Sequence, residues 1–146
     1  MSTVTDIGGA ELRRPIADVW GPRVLSLLRI MAALLFMEHG LMKLAAFPAP
    51  APGLPHPLPP LLIVAGFIEI VGGGLLAAGL FTRSVAFIAS GEMAVAYFMV
   101  HARIGFWPAL NQGEPAILFS FIFLYLALAG GGVWSLDARR PRRPLA

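Results

Sequence analysis

Glu38, His39 and Lys43 stand together in one apolar stretch of the chain, Glu69 in a second, and Glu92, His101 and Arg103 in a third. Arg29 lies earlier in the first stretch, and Glu114 heads a fourth. Held away from water, such groups can exchange protons, hydrogen-bond a polar head group, or lock helices together as ion pairs. His39 and Lys43 are four apart and share a helix face. Arg29 falls within about 40° of that face, and Glu92 and Arg103 are nearly in line. The charges almost cancel: Arg29, Lys43 and Arg103 against Glu38, Glu69, Glu92 and Glu114. Two readings stand side by side. In one, Arg29, Glu92, Arg103 and Glu114 are structural ion pairs. In the other, Glu38, His39, Lys43, Glu69 and His101 line a polar pocket open to the outer leaflet. Two histidines and two glutamates could also ligate a metal, but no H-x-x-x-H or E-x-x-H spacing prepares such a site, and no metal is assigned. The absence of cysteine excludes disulfide exchange, thiolate nucleophiles, iron–sulfur ligation and cysteine zinc sites.

The elements that carry these residues follow from composition. The chain has 146 residues, 58% of them hydrophobic and 13% charged, against about 25% charged in an ordinary soluble domain. A mean hydropathy of +0.77 cannot be hidden inside a small water-soluble globule, which still exposes much of its surface. The expected class is an all-α membrane protein. Four stretches can cross a hydrocarbon core about 30 Å thick, which takes about 20 helical residues: Val24–Phe47, Leu61–Phe81, Ser84–Ile104 and Pro115–Val133. They predict a four-transmembrane-helix bundle at 24–137, between an N-terminal cytoplasmic segment at 1–23 and a basic cytoplasmic tail at 138–146. Charges interrupt the first span too often for a cleaved signal peptide, and the residues after Arg13-Arg14 do not continue a twin-arginine signal.

The formal charge of +3 is no nucleic-acid signature, because ten of the eleven cations are arginines that sit mostly at span ends. Arg13, Arg14 and Arg23 precede span one, Arg83 separates spans two and three, and Arg139, Arg140, Arg142 and Arg143 follow span four. The other two connections, at 48–60 and 105–114, carry neither Lys nor Arg. Both termini are therefore expected in the cytoplasm, with the basic tail touching anionic lipid. Trp20, Trp107 and Trp134 fall at span ends, as interfacial aromatics do. The first outer loop holds seven prolines in thirteen residues and should be extended and stiff. Pro115 suits the first turn of span four.

Spans two and three should form a tight hairpin. Gly66, Gly72, Gly73, Gly74 and Gly79 are expected to let span two pack closely on a neighbour. Gly72-Gly73-Gly74 is not a phosphate loop, since no strand precedes it and no Lys-Ser/Thr follows. Tyr97 and Tyr125 read as packed aromatics. His39, Lys43, Phe47 and Pro48 echo His101, Arg103, Trp107 and Pro108, as Gly72–Gly74 echoes Gly130–Gly132. A tandem two-helix repeat would explain this; common membrane-protein composition would too.

Depth sharpens the pocket reading. Glu38, His39 and Glu69 lie roughly 12–14 Å below the outer face, and none can be left facing lipid cheaply. They are expected in one hydrogen-bonded cluster, with span one flanked by spans two and three. Arg29 should then reach Glu92 across the span one–span three contact.

The ordered motifs resemble those of the DoxX family of small bacterial membrane proteins. The arginine early in span one with His39-Gly40 and Lys43 matches its opening. Glu69, Gly72-Gly73 and Gly79-Leu80-Phe81-Thr82-Arg83 match its second helix. Gly113-Glu114, Gly130-Gly131-Gly132 and Ser135-Leu136-Asp137 match its close. The resemblance runs from Arg23 to Asp137. It implies a four-helix bundle in a bacterial inner membrane, among relatives that include membrane subunits of quinone-linked oxidoreductases and accessory or maturation factors. It transfers no catalytic residue. The first expectation is a redox-linked subunit that binds a quinone or similar head group, with no covalently bound cofactor: Glu38 or Glu69 would exchange protons and His39 would hydrogen-bond a carbonyl oxygen. The second is a non-catalytic scaffold or assembly factor for a partner protein, or a homo-oligomer. A third is a proton path along Arg29, Glu92 and Glu69.

Overall fold

The computed structural model of the chain describes residues 16–139, and these are helical with no strand among them. Three helices are long and apolar enough to cross a membrane: α1 (Ile16–Leu44), α2 (Pro60–Ala78) and α3 (Thr82–His101). A short helix, α4 (Pro108–Asn111), precedes a shorter apolar helix, α5 (Glu114–Ala129), and a 3₁₀ turn spans Asp137–Arg139. The expectations placed on Arg13, Arg14, Arg140, Arg142 and Arg143 lie outside the described residues.

Local chemistry sets the boundaries. α1 starts at Ile16 rather than Val24 and runs through Pro22; the missing proline N–H removes only a bond to the Asp18 carbonyl in an exposed first turn. Pro60 opens α2, where it has no helical bond to lose. Gly79, at φ +69°, closes it in the left-handed region. Only Gly79, Leu80 and Phe81 separate α2 from α3, as the predicted hairpin required. α5 stops at Ala129 because Gly130 turns the chain at φ +89°, and the rest of the expected fourth span, to Val133, becomes a loop folded back on the bundle. Two turns are wound wider than an α-helix: Ile68–Gly72 in α2 and Tyr97–His101 in α3. Such π-type turns insert a residue and re-aim the side chains around them, often at functional positions.

α1 packs along α2, and α3 along α5; lighter α2–α3 and α1–α5 contacts close the ring. This corrects the expected neighbours of span one. Its second flank is α5, and α3 stands diagonally across, because the hairpin holds α3 against α2 while α3 and α5 fit one another. Ala86, Ala89 and Met93 of α3 and Phe119, Phe123 and Leu126 of α5 join Ala32, Ala33, Phe36 and Leu76 in the core. Phe36 meets Phe123 edge-on at 4.9 Å between centroids. Ser90 Oγ donates to the Ser120 carbonyl (2.8 Å) and Ser120 Oγ returns a bond to the Ser90 carbonyl (3.1 Å), an interhelical polar clasp of the kind lipid-embedded bundles use.

The glycine expectation divides. A Cβ on Gly66 would meet Leu44 at 2.7 Å, and one on Gly73 would meet Met37 at 2.7 Å, so both bring α2 onto α1. Gly72 makes only ordinary contacts, and Gly74 is exposed with nothing within 4 Å of a Cβ. Gly74 is thus no packing residue; it lies on the outward face of α2. That outward surface is apolar: Leu27, Leu34, Phe67, Val71, Phe87, Phe98, Phe121 and Leu128 are all exposed. Contiguous apolar exposure on every helix is what lipid requires and what water forbids. The protein is a helical membrane protein.

Candidate functional site

Two polar clusters sit at opposite ends of the bundle. The first lies towards the end that carries the proline-rich loop. The Lys43 ammonium pairs with Glu69 Oε1, the ion pair among the described residues. Lys43 is in the last turn of α1, where its charge also suits the helix dipole; Glu69 enters from the wide turn of α2. Glu69 is completely buried, whereas the Lys43 side chain keeps 17% exposure. Glu69 Oε2 is buried with no donor, and so is Glu92 Oε2. Glu92, half-buried on α3, lies within Coulombic reach of both Glu69 and Lys43. One carboxyl group thus bonds the ammonium and a second lies within its electrostatic reach, each with one buried oxygen that has no donor among the described residues.

Of the other predicted members, His39 lies within Coulombic reach of Lys43 but is not hydrogen-bonded to the pair. Glu38 and His39 are exposed on the outer surface of the bundle. His39 lies edge-on to Phe119, with ring centroids 6.0 Å apart; no hydrogen bond joins it or Glu38 to Glu69. The expected Glu38–His39–Glu69 hydrogen-bonded cluster is therefore corrected to a Lys43–Glu69 pair, because α1 turns its Lys43 face towards α2 and its Glu38 face outward. His101 Nδ1 bonds the Asn111 carbonyl at 2.9 Å and its ring stacks on Tyr97, tying α3 to the loop that holds α4. Arg103 and Glu114 are exposed, and neither forms an ion pair among the described residues. Tyr97 is packed as expected; Tyr125 is exposed. No group of three or more His, Asp or Glu side chains that could hold a metal occurs among the described residues.

The second cluster sits at the α2–α3 hairpin end and contradicts the expected Arg29–Glu92 pair. Arg29 is fully buried, and its guanidinium binds four backbone carbonyls. Nε donates to Gly131 (2.8 Å), Nη2 to Trp134 (3.1 Å), and Nη1 to Leu76 and to Ala77 (2.7 Å). Leu76 and Ala77 end α2, so the cation also meets the negative pole of that helix. Asp137 caps α3 by accepting from Phe81 N (3.0 Å) and Thr82 N (2.8 Å). Ser26 Oγ donates to the Pro22 carbonyl at 2.9 Å and accepts from Trp134 N at 3.1 Å. One knot thereby joins α1, the α2–α3 hairpin and the loop after α5. A Cβ on Gly79 would overlap Ser135, and one on Gly132 would overlap Ser26 Oγ.

The residues of both clusters in α1 to α3 lie inside the match found by comparison. The family model for DoxX matches residues 24–102, more than half of the chain. The chain belongs to the DoxX family. A Haemophilus influenzae relative, itself described only as an uncharacterized protein, is 48% identical over 124 residues, covering 82% of this chain and 92% of its own. No solved structure matches the chain.

Within this DoxX fold the sequence left several working residues unassigned. Ser26, Thr82, Ser90, Ser120 and Asp137 carry no chemistry as isolated letters. The signal that could have found the knot was the pairing of two glycine-rich motifs, Gly79-Leu80-Phe81-Thr82-Arg83 and Gly130-Gly131-Gly132 with Ser135-Leu136-Asp137. Each supplies backbone that the other needs at close approach.

Proposed function

We propose that this DoxX-family protein is a four-span membrane subunit of a redox system that takes a quinol or quinone head group beside Lys43, Glu69 and Glu92. The reading rests on one observation: two buried carboxyl oxygens, Glu69 Oε2 and Glu92 Oε2, have no donor and flank a single ammonium. Buried acceptors without partners are rare, because each costs about 1–3 kcal/mol unless something donates to it. Quinol hydroxyls are donors of the right kind, and the Lys43 ammonium suits a quinone carbonyl. The Lys43 side chain keeps 17% exposure, so the pair can be approached from the surface of the bundle. In this proposal oxidation of a quinol to a quinone releases two electrons to a redox-active partner subunit and two protons to the Glu69 and Glu92 carboxylates.

In this reading α5 is the fourth span and both termini face the cytoplasm of a bacterial inner membrane. The chain has no native cysteine, so single-cysteine variants test the topology directly. Ala51→Cys should react with a membrane-impermeant maleimide from outside, and Ala138→Cys only after the inner face is opened; the reverse pattern discards the orientation. For the site, quinone binding to purified protein is compared with Glu69→Gln and Glu92→Gln. Binding that weakens about tenfold in either variant, from loss of a charged acceptor, supports the reading. Equal affinity in all three, or none in any, removes it.

One observation favours a second reading, a scaffold or assembly factor. Glu38 is exposed on the lipid-facing surface with no hydrogen-bond partner among the described residues, and an ionisable group there costs several kcal/mol unless a helix from another chain covers it. A partner protein or second copy retained in mild detergent by the wild type and lost in Glu38→Leu, seen by native mass spectrometry, supports this reading.

A further inference from the structure

At the hairpin end a cavity of about 220 Å³ lies against the first turn of α3, lined by Thr82, Arg83, Ser84, Gly130, Gly131 and Asp137. Thr82 is 1% exposed, and its Oγ1 is a buried hydroxyl with no hydrogen-bond partner. Helix N-termini present unpaired N–H groups to anions. Here Asp137 already takes those of Phe81 and Thr82, leaving Arg83 N and Ser84 N at the cavity with no acceptor among the described residues. The Arg83 guanidinium spends Nη1 on the Leu128 carbonyl (2.6 Å) and the Ala127 carbonyl (3.4 Å). Its Nε and Nη2 turn towards Gly130, within 3.7 Å of where a Cβ would stand, so a side chain at Gly130 would crowd them.

A second hollow, about 440 Å³, shares Arg83 and Ser84 with the first and continues along Phe87, Ile88, Ala127 and Leu128. Polar donors at the end of the helices lead directly into an apolar groove on the lipid-facing surface between α3 and α5. From this continuity we infer that the α3–α5 groove binds one anionic glycerophospholipid. Its phosphate takes the Thr82 hydroxyl, the first-turn N–H groups of α3 and the free edge of Arg83; an acyl chain lies along Phe87 and Leu128. Asp137 does not repel it decisively, because its carboxylate is engaged by two N–H groups and feels the charge of Arg29. A free phosphate has no use for the groove, and a zwitterionic lipid has no net charge to match Arg83. The site is separate from the quinol site, at the opposite end of the bundle.

The test is native mass spectrometry of the full chain released from phosphatidylcholine nanodiscs containing a minor fraction of phosphatidylglycerol. The wild type should retain phosphatidylglycerol in excess of its share. Arg83→Gln should cut that preference roughly fivefold, the equivalent of about 1 kcal/mol for one arginine at a lipid surface. Arg83 also caps α5, so that variant alone could act through the fold. Thr82→Val answers this: it removes a buried hydroxyl that has no partner, so thermal stability should hold or rise, while the lipid preference falls roughly threefold or more. Equal retention of both lipids by the wild type, or unchanged preference in both variants, overturns the inference. So does displacement of phosphatidylglycerol by inorganic phosphate, which would make this a free-anion site.

Discussion

Arg29 offers the sharpest perturbation, because four of its five N–H groups are bonded to backbone carbonyls. In the folded protein it is fully buried and its guanidinium serves four carbonyls drawn from two separate segments, the end of α2 and the loop after α5. Arg29→Met keeps length and apolar bulk but leaves those carbonyls without donors in a region closed to water. At about 1 kcal/mol or more for each orphaned group, less the relief of no longer burying a charge, the loss is about 3–5 kcal/mol. At about 2–4 °C per kcal/mol for a chain of this size, the midpoint of thermal unfolding in detergent should fall by roughly 10 °C. Arg29→Lys should recover only part of this, since one ammonium cannot span carbonyls on both segments. The double variant Arg29→Met with Glu92→Gln separates this geometry from a transmembrane ion pair. The two residues share no partner, so their effects should add within about 0.5 kcal/mol. An Arg29→Met protein as stable as the wild type, or strong non-additivity with Glu92, would refute the knot.

Three further outcomes follow from the same packing. Asp137→Ala should lower stability by about 1 kcal/mol, the usual loss of an N-terminal cap, measured by thermal unfolding; no change would mean that the loop after α5 does not hold α3. Gly132→Ala, at φ +74° and against Ser26 Oγ, should destabilise strongly or prevent accumulation in the membrane, while Gly74→Ala, in open space within a helix, should gain about 0.5–1 kcal/mol; equal behaviour of the two would contradict the described backbone. Lys43→Met should destabilise more than Glu69→Gln, because it strands a buried carboxylate rather than an amphipathic cation that can reach outward; a reversed order, read by denaturant titration, would say that Glu69 is not the buried partner.

Apolar length and polar interruptions make the helical membrane class readable from composition alone, and Pro115 marks the start of α5 because its backbone chemistry acts locally; Gly79, expected as a packing residue inside a span ending at Phe81, instead closes α2. Lys43 and Glu69 were both picked out as intramembrane ionisable groups, yet their pairing was not. Which face of α1 meets α2 depends on Gly40, Gly66 and Gly73 letting the two backbones close up, and on the wide turn that re-aims Glu69. A constant 3.6-residue period cannot carry that rotation. Arg29 departs from its expected pairing for a related reason. Counting charges looks for a carboxylate, whereas a buried guanidinium with five N–H groups is satisfied as well by carbonyls at a helix end. Those carbonyls exist at every helix terminus and leave no mark in the sequence.

The two clusters differ in how far their polar groups are satisfied. Both are buried and polar, and both join several helices, so burial and charge alone would rank them equally. At the hairpin end, the Arg29 and Asp137 contacts close on backbone groups that cannot titrate or leave. Contacts of that kind fix one arrangement of the helices, and the lipid inferred beside Thr82 and Arg83 would dock against this knot without entering it. At the loop end, the Lys43 ammonium bonds one oxygen of Glu69, Glu92 lies within Coulombic reach of that pair, and Glu69 Oε2 and Glu92 Oε2 have no donor among the described residues. In the proposed function, quinol hydroxyls or bound protons make up this deficit. The bundle is locked at one end, and that rigidity lets the unsatisfied carboxyl groups at the other be held in place rather than collapse onto a partner.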